Sequence, residues 1–575
     1  MRVARLIVPT LLAAMAASAL SAQIPTRRPS SQATSSNAIR MLVGNPYSFS
    51  AEDSSHSVAI GDGLRTRMDK LAGADFRVVT RTDMNEALKQ FGYPIDAILG
   101  PLPLRSLAQS LNGRVLLVSN FSHDAKGDHV ITSRLSGLND DAGMVVSVSG
   151  GAIKDHVLLG TKIADGFAPA LKVWGDAKAC VDQSKNAPEK AMVSARKALA
   201  IVPNHGLANL CLGELALSRG KKADSAEAMQ YFQSATKGDP LSLKAWTNLA
   251  SGFEAGGDTV KTIDALKQML LIAPTNQPLR ELAFKKFLAY GHPEIAEQVA
   301  DDGLKLDGGN IDLFELRANA RIFRENYAGA LNDLEQIVAL DSARADSTFY
   351  FKYMATAGVQ PDTVRLVKYA SLAARKFPGS LTILKQVAGA YAQVGLSDSL
   401  MVALKALLPL DTVSAVGFAL QQAKAFQDVK NHPAAAPYID FAAEHGDSAA
   451  KEGAAGLLLN GTLPYLQPAT QDFTAAATGL RRVVALASPQ GRYAPIANHF
   501  LGLSLVNLIS KADKEAETGK SCDGAKSVEA MTTEAETAFG LAAPYEAQLS
   551  ARTQMIAYLT GLKPRTASMI RVYCK

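Results

Sequence analysis

The sequence predicts an α+β N-terminal domain followed by an all-α solenoid of helical hairpins. Three observations predict it. A four-point pattern of small or apolar residues with a helix stop recurs roughly every 34 residues through the middle of the chain. Three β-rich runs separated by turn residues lie together between residues 114 and 149. The 575 residues are too many for one core, and 47% of them are hydrophobic, so several domains or an extended array should fold.

The elements follow in chain order. Residues 1–22 read as a signal peptide: Arg2 and Arg5 supply a positive start, Leu6 to Leu20 an apolar run, and Ala17-Ser18-Ala19 or Ser21-Ala22 a cleavage point. The apolar run is shorter than the ~20 residues a spanning helix needs. No cysteine follows it to accept a lipid, and no later stretch is long and apolar enough to span a bilayer. Export, to a bacterial periplasm, is therefore the expectation. Residues 23–38, rich in Ser, Thr and Pro, read as a flexible linker.

Residues 39–175 read as a small α/β domain. A short strand at Arg40 to Val43 precedes a helix over Ser50 to Ala72, with Ile60, Leu64, Met68 and Leu71 at helical spacing. Phe76 to Thr80 is a strand, and helices follow at Arg81 to Phe91 and Leu104 to Leu111. Strands at Arg114–Asn120, His129–Leu135 and Gly143–Ser149 are separated by hairpin turns at Asp124–Gly127 and Asn139–Ala142. A helix from about Lys154 to Trp174 closes the segment. Over residues 40–172 this order of elements resembles the N-terminal domain of the periplasmic protein TolB, which implies an envelope interaction domain without an active site.

From 176 to 447 the four-point pattern governs. It reads Ala191, Ala195, Ala198, Pro203; Ala228, Phe232, Ala235, Pro240; Thr262, Leu266, Met269, Pro274; Ala296, Ala300, Gly303, Gly308; and Ala330, Leu334, Ile337, Ser342. The spacing 4, 3, 5 puts three side chains on one helical face with a stop beyond it. A fixed period of this length marks a solenoid of paired helices. The units resemble tetratricopeptide repeats, whose helix A carries bulky, Leu, small and aromatic positions and whose helix B carries Ala, aromatic, Ala and a final Pro. The best match is Trp246, Leu249, Ala250, Phe253, then Gly257 at the turn, then Thr262, Leu266, Met269, Pro274. The bulky position recurs as Trp246, Arg280 and Phe314. The preceding unit carries three extra residues around Lys221 to Ser225, expected to lengthen its turn.

Beyond 342 the pattern loosens. Leu366, Ala370, Ala373 and Pro378 form a helix B two residues late, and Leu384, Val387, Ala388 and Tyr391 form the next helix A. Phe418 to Phe426 and Ala434 to Ala443 make a degenerate pair. Residues 448–575 read as degenerate helical repeats, broken at Pro464, Pro468 and Pro489, with a C-terminal cap over about 525–542 and 544–573.

The four cysteines, Cys180, Cys211, Cys522 and Cys574, allow three disulfide connectivities. Neighbouring first helices pack side by side in helical stacks, which favours Cys180 with Cys211, while Cys522 and Cys574 bracket the last helical segment. A metal site is not expected, since no CxxC pair exists and the nine histidines are scattered. No cofactor is expected either.

Charge excludes one partner class. The net charge of +6 is small, lysines and arginines interleave with acids, and no basic stripe indicates nucleic acid. Short motifs add no chemistry. Gly61-Asp62-Gly63 lies inside a helix without the rest of a phosphate loop. Ser54-Ser55-His56 reads as a helix cap before it reads as a nucleophile, Asp140-Asp141 as a turn, and Asn460-Gly461-Thr462 as an idle glycosylation match. No HExxH, GxSxG or Walker sequence is present.

What remains is a binding wall. In tetratricopeptide repeats, ligands lie along helix A residues facing the groove, which here implies Lys244, Thr247, Ser251, Glu281, Lys285, Glu315 and Asn319. This polar, mixed-charge set suits a protein or peptide partner. The expected function is an exported, non-enzymatic adaptor. The alternative is a fixed subunit of an envelope assembly or secretion complex.

Overall fold

The computed structural model describes residues 38–48, 53–125, 127–150, 155–220, 222–360, 362–545 and 549–575. The expected signal peptide and all but the last residue of the expected linker lie outside them. The chain divides into two compact units, Met1–Ala265 and Leu266–Lys575.

The first unit opens on strand β1 (Ile39–Val43), helix α1 (Ser54–Ala72), β2 (Phe76–Val78), α2 (Arg81–Gln90) and α3 (Pro101–Ser110). Then come β3 (Val115–His123), β4 (His129–Gly137) and β5 (Met144–Ser149). They form one sheet of order β2-β1-β3-β4-β5, with β1 parallel to both neighbours and the last three strands antiparallel. Strand alternation supplies the two faces. Met41, Val43, Val115 and Leu117 point into a core shared with α1 and with α4 (His156–Gln183). Leu42 and Leu116 point the other way, against α2 and α3.

Helix α4 belongs to two cores. Its N-terminal two thirds (Leu159, Ile163, Phe167, Trp174) pack on the sheet, and its C-terminal part (Ala177, Cys180) packs on the first repeats. The expected boundary at 175/176 thus falls inside one continuous helix of 28 residues. The solenoid continues through α5 (Pro188–Ile201), α6 (Gly206–Ser218), α7 (Lys222–Gly238), α8 (Leu243–Ala255) and α9 (Thr259–Ile272), the last of which crosses into the second unit. A buried carboxylate ties the repeats to the sheet. Asp239 accepts from Arg134 of β4 at 2.9 Å and from the Gly143 backbone at 2.7 Å. The sulfurs of Cys180 (α4) and Cys211 (α6) are bonded at 2.03 Å.

The three extra residues near 221 do not lengthen a turn. They extend α7 to 17 residues, against 14 in α9, because Lys222 to Glu227 contains no helix breaker and the helix continues through it.

In the second unit the pairs are α10 (Gln277–Ala289) with α11 (Pro293–Leu306), α12 (Ile311–Phe323) with α13 (Tyr327–Leu340), and α14 (Ser347–Val359) with α15 (Thr363–Lys376). Then come α16 (Leu381–Val394) with α17 (Ser397–Leu407), α18 (Thr412–Asp428) with α19 (His432–His445), and α20 (Ser448–Thr462) with α21 (Phe473–Leu486). The long helices α22 (Tyr493–Gly519), α23 (Cys522–Leu541) and α24 (Leu549–Tyr573) close the chain, and Cys522 is bonded to Cys574 at 1.98 Å. The small helix-B positions Ala296, Ala300 and Ala330 are fully buried. They let paired helices approach closely.

Side-chain caps start the helices on the same period. Ser242 accepts from the Ala245 amide at 3.2 Å, and Asn276 and Asn310 accept from Leu279 and Leu313 at 3.1 Å. The next such cap is Asp346, two residues later than the period would place it, because the 3-10 turn Ser342–Arg344 is inserted after α13. That turn accounts for the late helix B at Leu366.

Candidate functional site

The expected groove residues sit on the exposed or half-exposed sides of first-of-pair helices. In the first unit Lys244, Thr247 and Ser251 are all exposed on α8. Lys244 lies 3.6 Å from Glu214 of α6, and the Thr247 hydroxyl donates to the Leu243 carbonyl at 2.8 Å. In the second unit Glu281 and Lys285 lie one turn apart on α10, and Glu315 and Asn319 one turn apart on α12. Lys285 is exposed, while Glu281 accepts from Gln277 at 3.4 Å and is half-buried.

Glu315 is not a free acid. Its carboxylate accepts from Lys352 at 3.1 Å and from Arg344 at 3.2 Å, so it braces α12 against the following pair. Sequence reasoning assigned it to the wall from its register alone, and the two partners lie 29 and 37 residues away.

A charged network that the sequence reading did not anticipate stiffens this region. Arg317 donates to Asp301 at 2.7 Å and to Asp333 at 2.7 Å. Arg321 donates to Asp333 at 2.8 Å and to Glu297 at 2.9 Å, and Arg324 also donates to Glu297. Burial raises the cost of charging Glu297, yet hydrogen bonds from Arg321 and Arg324 outweigh it and hold its carboxyl below the usual value. Burial likewise opposes charge on Arg317, and its bonds to Asp333 and Asp301 raise it above the usual guanidinium value. A fully satisfied network of this kind fixes three helices in one geometry. The signal was legible only as Arg317 and Arg321 at helical spacing on α12, with Arg324 at its C-cap.

The histidines are not scattered in space. His56 at the start of α1 and His156 at the start of α4 stack with centroids 4.1 Å apart. His129, which opens β4, lies 5.3 Å from His156 and 5.8 Å from His56. His123, paired in register with His129 across the hairpin, is 5.0 Å from it. Four of the nine histidines thus meet at one end of the sheet. Sequence distance hid this, since the residues span 56 to 156. The expected serine cap is also displaced: Asp53 occupies the N-cap of α1, Ser54 is the first helical residue, and no side chain caps the helix. Asp140 is engaged by Lys178 at 2.6 Å.

No protein family profile and no curated protein sequence matches this chain. Solved structures share helical repeats with it. Naa15/Naa10 bound to HypK-THB is 13% identical over 69% of this chain and 64% of that one, with a TM-score of 0.36, so the chain spans less than two thirds of that protein. A MamA structure is 19% identical over 31% of this chain and 97% of that one, with a TM-score of 0.24. YrrB, described as a TPR protein with an unusual peptide-binding site, is 12% identical over 33% of this chain and 95% of that one, also at 0.24. Likeness at this level carries no functional argument. The chain's own pairing of helices, its regularly spaced caps and its buried alanine face are those of a tetratricopeptide-like solenoid joined to a mixed α/β sheet.

Proposed function

We propose that this chain is an exported, non-enzymatic scaffold that holds a protein or peptide along the polar faces of its first-of-pair helices. The observation that carries the reading is the register of those faces. Thr247, Glu281 and Glu315 follow one another at one repeat length, as do Ser251, Lys285 and Asn319. Within the second unit, α10 and α12 present Lys285 and Asn319 from helices whose backs are buried, and the Arg317 network pins α12 to α11 and α13. Rigid helices bearing exposed polar side chains bind extended partners without paying to order the receptor. Glu315 braces the fold, so Lys285, Asn319 and Glu281 carry the recognition there, and Lys244, Thr247 and Ser251 carry it on α8.

Export is supported by the cysteines: both pairs are disulfide-bonded and no free cysteine remains. The α/β part, with its resemblance to the TolB N-terminal domain, serves in this proposal as an envelope interaction module.

A photo-crosslinking amino acid at Lys285 or Ser251 of the full chain, with Gln298 on the exposed side of α11 as the control position, tests the reading. Discrete protein adducts at the first two positions and none at Gln298 are expected. Equal labelling at all three, or none anywhere, overturns it. Cell fractionation that finds the mature chain in the cytoplasm overturns export.

A further inference from the structure

The histidine cluster at the end of the sheet is built by backbone geometry. Helices α1 and α4 cross so closely that a Cβ on Gly63 would lie 2.2 Å from the Val157 carbonyl oxygen. A Cβ on Gly160 would lie 2.2 Å from the Ile60 carbonyl oxygen. Only glycine permits that approach. It brings the first turns of the two helices together and with them His56 and His156. The β3–β4 hairpin delivers His129 to the same place from the sheet.

Ligand nitrogens of His56, His129 and His156 lie within 4.8 Å of one another, and all three residues are half-buried. Nδ1 of His56 and Nε2 of His156 are shielded from solvent and have no hydrogen-bond partner. Buried polar nitrogens left unpaired are costly, and three neighbouring imidazoles cannot all become charged to escape the cost. Burial, and then the neighbouring histidines, oppose charging of His129 and His156. Carboxylates stand around the group: Asp53 lies 3.8 Å from His123, and Asp128 and Asp155 act on His129 and His156. A cation placed among the rings would satisfy the orphaned nitrogens and meet that negative surround.

We propose that His56, His129 and His156 form a binding site for one divalent transition-metal ion, of the zinc, nickel or copper type. Neutral imidazole is the ligand these ions share, whereas magnesium and calcium take oxygen. Metal–nitrogen bonds of about 2.0–2.1 Å need the nitrogens to close to roughly 3.3 Å from one another. That contraction is assigned in this proposal to side-chain rotation at the three positions. His123, on the neighbouring strand, is placed to add a fourth ligand or to hold Asp53 beside the site. All four cysteines are in disulfides, so thiolate does not compete for the ion. The site is independent of the proposed groove and stands or falls separately from it.

The test uses the full oxidised chain, tag-free and stripped with chelator. Calorimetric titration with Zn(II), and Co(II) absorption as a geometry probe, should show one ion per chain. His129→Ala and His156→Ala should each weaken binding by at least about tenfold, and His445→Ala should not. His156→Gln, which keeps a similar bulk, together with circular dichroism of every variant, separates ligand loss from misfolding. No uptake by the wild-type chain overturns the proposal. So does unchanged uptake by a folded His56→Ala/His129→Ala/His156→Ala chain.

Discussion

The indole nitrogen of Trp246 donates a 2.9 Å hydrogen bond to the carbonyl oxygen of Pro240, six residues before it. Arg280, one repeat further on, makes the same bond to Pro274, and Asn209 makes it to Pro203 at 2.9 Å. Three different side chains therefore do one job. The proline that ends each helix B leaves its carbonyl beyond the helix, and the donor at the bulky helix-A position closes the junction. Where Gly308 replaces the proline, Phe314 replaces the donor. The strength of this closure depends on burial. Trp246→Phe should cost about 0.5–1 kcal/mol, since the bond is exposed. Arg280 is 4% exposed and also donates to the Val299 carbonyl at 2.6 Å, so Arg280→Met should cost about 2–3 kcal/mol. Urea denaturation of the two variants should rank them in that order.

The turn between paired helices needs a left-handed residue at the same period. Gly257 and Gly291 supply it at φ of 74° and 78°, but the third position is Glu325 at 59°. A side chain there costs about 1 kcal/mol. Glu325→Gly should stabilise the second unit by roughly 0.5–1 kcal/mol, less the extra entropy glycine loses on folding. Thermal melting should show an increase, and a decrease would mean that Glu325 contributes more than its backbone costs.

His205 caps α6 by accepting from the Ala208 amide through Nδ1, which requires the neutral ring. Burial lowers its pKa to about 4, with nearby Asp239 opposing the shift only in part. The folded state thus binds fewer protons than the unfolded one, so the stability is present in full above the ordinary value of 6.5. It is lost as pH falls from there toward 4, by up to about 3 kcal/mol. His205→Asn keeps a cap without the titration. Denaturation series between pH 7 and 4 should slope less in that variant than in the parent chain.

Each disulfide closes a loop, of 31 residues for Cys180–Cys211 and 52 for Cys522–Cys574. On the chain-entropy account each adds about 3–4 kcal/mol by restricting the unfolded chain. Cys180→Ser/Cys211→Ser should lower the melting of the first unit, and Cys522→Ser/Cys574→Ser that of the terminal helices. Mass spectrometry of non-reduced digests that links Cys180 to Cys522 would falsify both assignments.

Periodicity determined much of this protein by itself. The spacing of Ala296, Ala300 and their counterparts requires helices with one apolar stripe, and stripes repeated at a fixed period can be buried only by stacking. The turn residues Asp124 to Gly127 between two β-rich runs likewise called for a hairpin, and β3 and β4 pair antiparallel. Both patterns are local, so the sequence carries them whole. Tertiary structure alone decided what distant residues do when they meet. Glu315 looks like a groove residue until Arg344 and Lys352 are folded onto it. His56, His129 and His156 look unrelated until Gly63 and Gly160 let two helices touch backbone to backbone. Chain entropy makes such contacts invisible to any local rule: nothing in the neighbourhood of either residue states which turn, far along the chain, will face it.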